Sequence, residues 1–139
     1  MSSVAAIVLT GGRASRLGGI DKARMAVAGR PMVEAVLGAA RAVAGTVRTV
    51  GPGGDTREDP PHSGPVAGIA AGLRALPGSV DLVVVVACDL PDLDAATLRD
   101  LVAAARTSPC ALAVDAAGRD QYLLAAWDRR ALAARLAAL

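Results

Sequence analysis

Residues 4–9, Val-Ala-Ala-Ile-Val-Leu, form an unbroken apolar run that ends on Thr10-Gly11-Gly12. A short run without polar alternation fits a strand buried on both faces. Past the glycine turn, Pro31 suits a first helical position, and Met32, Val33, Val36, Leu37, Ala40 and Val43 recur at helical spacing up to Gly45. Residues 46–50 then read as a second strand. A strand, turn, helix and strand in that order impose a crossover, and therefore parallel strands.

The rest of the chain repeats the alternation. Residues 51–65, GPGGDTREDPPHSGP, are loop by their Gly and Pro content. A connection this long is either functional or a mobile crossover. A helix follows with Val66, Ile69, Ala70, Leu73 and Leu76 on one face, closed by Pro77-Gly78. Residues 82–87 are the most apolar strand and run into Cys88-Asp89-Leu90-Pro91. Asp94 can cap a third helix with Leu98, Leu101, Val102 and Ala105 on its apolar face. Residues 110–114 and 121–126 read as strands around a turn at Ala117-Gly118, and Asp128 can cap a last helix aligning Leu132, Leu136 and Leu139. The sum is an α/β domain with an open, mostly parallel sheet and helices packed on it. In such sheets ligands collect at the carboxyl ends of the strands.

Composition narrows the function classes. The 139 residues suit one domain, and an apolar content of 53 % with Tyr122 and Trp127 the only aromatics makes the core aliphatic. Net charge is +2, which gives no global reason to expect nucleic-acid or membrane binding. The local balance differs: Arg13, Arg16, Lys22, Arg24 and Arg30 surround the glycine turn against a single acid, Asp21. A small polyanion would suit that cluster. No apolar run reaches the roughly 18 residues of a membrane span, and no secretory leader is evident, so the expectation is a soluble, cytoplasmic protein. Cys88 and Cys110 lack metal-like spacing and read as buried, reduced thiols.

Two features fall at strand ends. The adjacent glycines let main-chain N–H groups approach a phosphate, with Arg16 and Lys22 adding charge-assisted contacts. The same residues also fit a tight strand-to-helix corner carrying solvated cations. Lys22 is flanked by Asp21 and Ala23, which excludes a P-loop, and adjacent glycines with a second strand ending Val50-Gly51 exclude a dinucleotide fingerprint. Asp89, past the most apolar strand, is placed to hold Mg²⁺ beside phosphate oxygens or to satisfy turn amides before Pro91. His62, alone in the long loop, is a poor candidate for a general base.

Four blocks in order, Gly11-Gly12-x-x-x-Arg16-Leu17-Gly18-Gly19-x-Asp21-Lys22, Gly29-Arg30-Pro31, Gly64-Pro65-Val66-Ala67-Gly68-Ile69 and Cys88-Asp89-Leu90-Pro91, resemble the signatures of the molybdenum cofactor guanylyltransferases. The resemblance implies a three-layer Rossmann-like fold of the nucleotide-diphospho-sugar transferase type. It further implies transfer of GMP from GTP to a phosphorylated molybdopterin-type cofactor, with Mg²⁺ as the metal. By position, Leu9, Thr10, Gly11 and Gly12 would wrap base and phosphates, Arg16 and Lys22 would bind the triphosphate, and Asp89 would ligate the metal. Asp59 matches a nucleoside-contacting aspartate more loosely. Thr10 and Leu17 stand where the family more often has Ala and Met, and the family asparagine near the end of the second strand has no counterpart in Val50-Gly51-Pro52. The family pattern also continues past position 139 with an Asn-x-Asn-Thr-like motif, so residues 1–139 are expected to be one nucleotidyltransferase-like domain without that segment. Use of another nucleotide such as CTP, transfer to another acceptor, and an inactive nucleotide-binding module are the alternatives. Oligomeric state is left open.

Overall fold

The structure, a computed structural model, describes residues 3–10, 16–17, 20–21, 26–27, 30–51, 54–56, 64–88, 90 and 93–139; for 16–32 it describes the backbone path only. Five strands make the main sheet: β1 (Val4–Leu9), β6 (Thr46–Val50), β7 (Leu82–Ala87), β8 (Cys110–Val114) and β9 (Asp120–Asp128), in the order β6-β1-β7-β9-β8. Four helices accompany it: α1 (Met32–Val43), α2 (Pro65–Arg74), α3 (Ala95–Ala105) and α4 (Arg129–Ala137). Between β1 and α1 lie two ribbons, β2 (Arg16–Leu17) with β3 (Ile20–Asp21) and β4 (Ala26–Val27) with β5 (Arg30–Pro31). The sequence shows no sign of these, because two-residue strands carry no periodicity.

The expected α/β sheet is present, and it is mixed. β1 pairs parallel with β6 and with β7, whereas β9 is antiparallel to both β7 and β8. Within this sheet all strands but β9 therefore point the same way. The turn before β9 is a hairpin, closed by Gly118 at φ 80° and by the Asp115 carboxylate, which accepts from the N–H groups of Ala117 and Arg119 at 2.9 Å each.

Side-chain alternation along the central strands supplies a core on each face. Ala6, Val8, Val84 and Val86 face Val36, Ala39 and Ala40 of α1 and Leu98, Leu101, Val102 and Ala105 of α3. Ala5, Ile7, Val83 and Val85 face Ala71 of α2 and Leu132 of α4. The result is the expected three layers. Asp94 and Asp128 cap α3 and α4, accepting from Thr97 N–H at 2.8 Å and Ala131 N–H at 3.0 Å.

Helix α2 departs from the face read in the sequence. Its buried residues are Gly68, Ala71 and Gly72, with Ile69 and Leu73 only partly covered and Val66 exposed. The strand supplies the bulk at this contact: a Cβ on Gly72 would stand 2.6 Å from Ile7 Cγ2, so only glycine lets the helix approach. At the end of the chain, Leu132 is buried and Leu136 partly so, but Leu139 lies beyond the last turn of α4 and is exposed. Cys88 is buried as expected, while Cys110 on edge strand β8 is a half-buried free thiol.

Candidate functional site

At the carboxyl edge of the sheet, three strand ends lie side by side. Leu9 is in register with Val50 on one side and Ala87 on the other. Thr10 donates both its N–H and its hydroxyl to the Val50 carbonyl, at 2.8 and 3.0 Å. Cys88 N–H donates to the Leu9 carbonyl at 3.1 Å. The glycine turn follows Thr10 in the chain and Asp89 follows Cys88, so both features leave from hydrogen-bonded neighbouring strands. That adjacency is what a shared crevice requires.

The candidate residues separate into two groups. Leu9 is 8 % exposed, and its side chain packs with Ile7, Val50 and Val85 in the core. What it brings to the edge is backbone. Thr10 is half-buried, with its hydroxyl proton committed to the Val50 carbonyl. Arg16 is paired with Asp21 in the β2–β3 ribbon, which sets its backbone next to the residue preceding Lys22. Gly11, Gly12, Lys22, Asp59, His62 and Asp89 lie outside the described residues.

Two parts of this edge carry roles the sequence does not announce. Gly51 follows β6 at φ 145°, donates to the Thr56 carbonyl at 2.9 Å, and is held in a short return loop that lays Thr56 beside Val50 as a parallel bridge. The loop is closed by Asp55, whose carboxylate accepts from the Thr49 N–H at 2.9 Å and the Thr49 hydroxyl at 3.2 Å. Gly64, at φ 97°, provides no side-chain cap for α2, and Pro65 opens that helix. The crossover carries the chain from the carboxyl end of β6 toward the amino end of β7, so this uncapped N-terminus lies at the same edge. The Gly-Pro pair was the available signal for it.

Electrostatic perturbation in the described part is slight. The Thr97 N–H, followed by the Thr97 hydroxyl, holds the Asp94 carboxyl below its ordinary value, and burial pushes the Cys110 thiol up. No cluster of three His, Cys, Asp or Glu that could hold a metal occurs among the described residues. No helix among them is long and apolar enough to cross a membrane.

Comparison with known proteins bears on the fold and the family. Residues 6–139 match the family model of the MobA-like NTP transferase domain. A molybdenum cofactor guanylyltransferase of Acidiphilium cryptum is 32 % identical over 91 % of this chain and 67 % of its own length. One from Serratia proteamaculans is 33 % identical over 70 % of this chain and 54 % of its own. The chain thus spans about half to two thirds of the length of these curated relatives. Among solved structures, Rv0371c from Mycobacterium tuberculosis superposes with a TM-score of 0.81 at 21 % identity, covering 99 % of this chain and 77 % of that one, and Rv0371c has also been solved in complex with manganese. A 4-diphosphocytidyl-2C-methyl-D-erythritol synthase from Anaerococcus prevotii gives 0.73 at 15 % identity, covering 99 % and 76 %. At these identities the structural likeness speaks for the fold; the family model and the relatives settle the lineage, and the chain belongs to the MobA-like NTP transferase domain family.

Proposed function

We propose that this chain carries the nucleotide site of a Mg²⁺-dependent guanylyltransferase that moves GMP from GTP to the phosphate of a molybdopterin-type acceptor and releases pyrophosphate. The observation that supports this most is the pairing of β1 with β7, which starts the glycine turn and the Asp89 segment from adjacent strand ends. The names of the curated relatives favour guanine and the molybdopterin acceptor.

In this reading the backbone of Gly11 and Gly12 approaches the phosphates, and Arg16 and Lys22 neutralise the β- and γ-phosphates as charge builds on the departing pyrophosphate. An oxygen of the acceptor phosphate attacks the α-phosphorus, a new phosphoanhydride bond forms, and the bond between α- and β-phosphates breaks. The acceptor oxygen is already ionised at neutral pH, so the step asks for position and charge rather than for a general base. Asp59 would contact the nucleoside. Asp89, one carboxylate sharing its ion with substrate phosphates, fits the usual donor set of Mg²⁺, which when bound would draw charge from those phosphates.

A second reading follows from the cytidylyl neighbour: the same turn accepts any triphosphate, and the base is chosen elsewhere. Pyrophosphate release measured with GTP, CTP and ATP, with Mg²⁺ and the molybdopterin-type acceptor, separates them. We expect GTP to be preferred, and Lys22→Ala and Asp89→Asn each to lower turnover by about 10²–10³-fold, the usual cost of one preorganised charge stabiliser. Preference for CTP or ATP would replace the guanylyl reading. Nucleotide binding without pyrophosphate release would mean a binding module.

A further inference from the structure

We propose that Thr49 and Asp55 form a positioning clasp for the nucleotide half of the site, an inference that rests on the nucleotidyl-transfer reading above. The pair is tied reciprocally: the Asp55 carboxylate takes the Thr49 N–H and hydroxyl, and the Asp55 N–H donates to the Thr49 hydroxyl oxygen at 2.9 Å. Thr56 N–H then donates to the Thr49 carbonyl at 3.1 Å, and Gly54 N–H to the Gly51 carbonyl at 2.9 Å. A Cβ on Gly54 would stand 2.9 Å from the Thr49 hydroxyl, so glycine is required for the loop to close this tightly.

The clasp does more than cover the outer edge of β6. It holds Thr56 against Val50, and Val50 in turn receives both donors of Thr10, so a continuous hydrogen-bonded path runs from the start of the glycine turn to Asp55. The chain toward position 59 departs from Thr56. Position 59 is three residues on, a span of at most about 11 Å. Releasing Asp55 would free that point of departure while leaving β1, β7 and both cores untouched. The population with Thr56 held against Val50 would fall, and apparent affinity falls in proportion to the competent fraction.

Titration calorimetry with GTP and Mg²⁺ tests this, because it reads affinity and the fraction of binding-competent protein separately. Asp55→Ala is expected to raise Kd by about three- to ten-fold at unchanged stoichiometry, the scale of one or two lost hydrogen bonds. Asp55→Asn, which keeps an acceptor for Thr49, should come back to within about two-fold. Thr49→Val, which removes the two hydroxyl bonds but leaves the Thr49 N–H on the Asp55 carboxylate, should raise Kd by no more than Asp55→Ala does, and the double variant should lose less than the two single losses combined. An unchanged Kd in Asp55→Ala, or a reduced stoichiometry at unchanged Kd, would overturn the clasp as a positioning device and leave the functional reading intact. Failure of the unsubstituted chain to bind GTP, CTP or ATP would overturn that reading and this inference with it.

Discussion

The two halves of the sheet are built to different standards. In the parallel half, Ala5 to Val8 of β1 and Val83 to Val86 of β7 are all completely buried, with helices on both faces. In the antiparallel half, β8 is half-buried along most of its length, Val114 is 59 % exposed, and Tyr122 of β9 is 69 % exposed. The pairing of β8 and β9 also shifts register between Leu112 and Ala113. Every described feature of the candidate site hangs on the first half. A ligand gripped by backbone atoms needs strand ends fixed by close packing, which β1 and β7 supply at the centre of the sheet, whereas the outer strand β6 is half-buried up to Val50.

This contrast is open to direct attack by substitution. Ile7→Ala removes a fully buried side chain from the parallel half and should cost about 2–5 kcal/mol, whereas Leu112→Ala on the half-buried edge strand should cost about 1 kcal/mol; urea midpoints measure both. Equal losses would mean the halves are not energetically distinct. Gly72→Ala pushes a methyl into Ile7 and should destabilise by about 1–3 kcal/mol, and combined with Ile7→Ala, which removes the Cγ2 it would strike, it should cost less than the sum of the two single changes. Independent, additive effects would show that the close approach of α2 to β1 is not the reason for the glycine.

Much of the parallel half was legible in the sequence because its signals are local. Apolar runs without alternation marked β1 and β7, Gly and Pro marked the breaks, and Asp94 and Asp128 announced the caps they form. The glycine turn and Asp89, each following an apolar strand, also pointed to a shared edge, and the pairing of β1 with β7 supports it. What escaped depends on distant partners. The insertion of β9 between β7 and β8 is a choice among long-range pairings that no local pattern encodes. The small-residue face of α2 reads as weakly apolar until Ile7 is known to lie beneath it. Asp55 carries no signal of its own in the sequence, because an aspartate that folds back onto a strand resembles any other turn aspartate.

Smaller effects sharpen the comparison at the helix ends. Asp128→Ala removes the cap of α4, whose Leu132 packs against β1 and β7, and should cost about 1 kcal/mol in a thermal or urea titration. Asp94 gives a pH signature instead. Its carboxyl titrates lower in the folded chain than in the unfolded one, so its contribution is complete above the ordinary aspartate value of 3.8 and is lost as pH falls through the lower folded value. Stability measured from pH 6 down to pH 3 should therefore fall less steeply in Asp94→Asn than in the unsubstituted chain. Parallel slopes would remove Asp94 from the account of acid sensitivity.

The central claim is that the nucleotide is held at the carboxyl edge of the parallel half. Amide hydrogen exchange with and without GTP and Mg²⁺ tests it segment by segment. Protection should appear at Leu9 and Thr10, at residues 50–56, at the start of α2 and at Cys88, while β8 and the turn at Asp115 to Gly118 stay as they were. Protection centred on the β8–β9 hairpin, with the three strand ends unchanged, would contradict it.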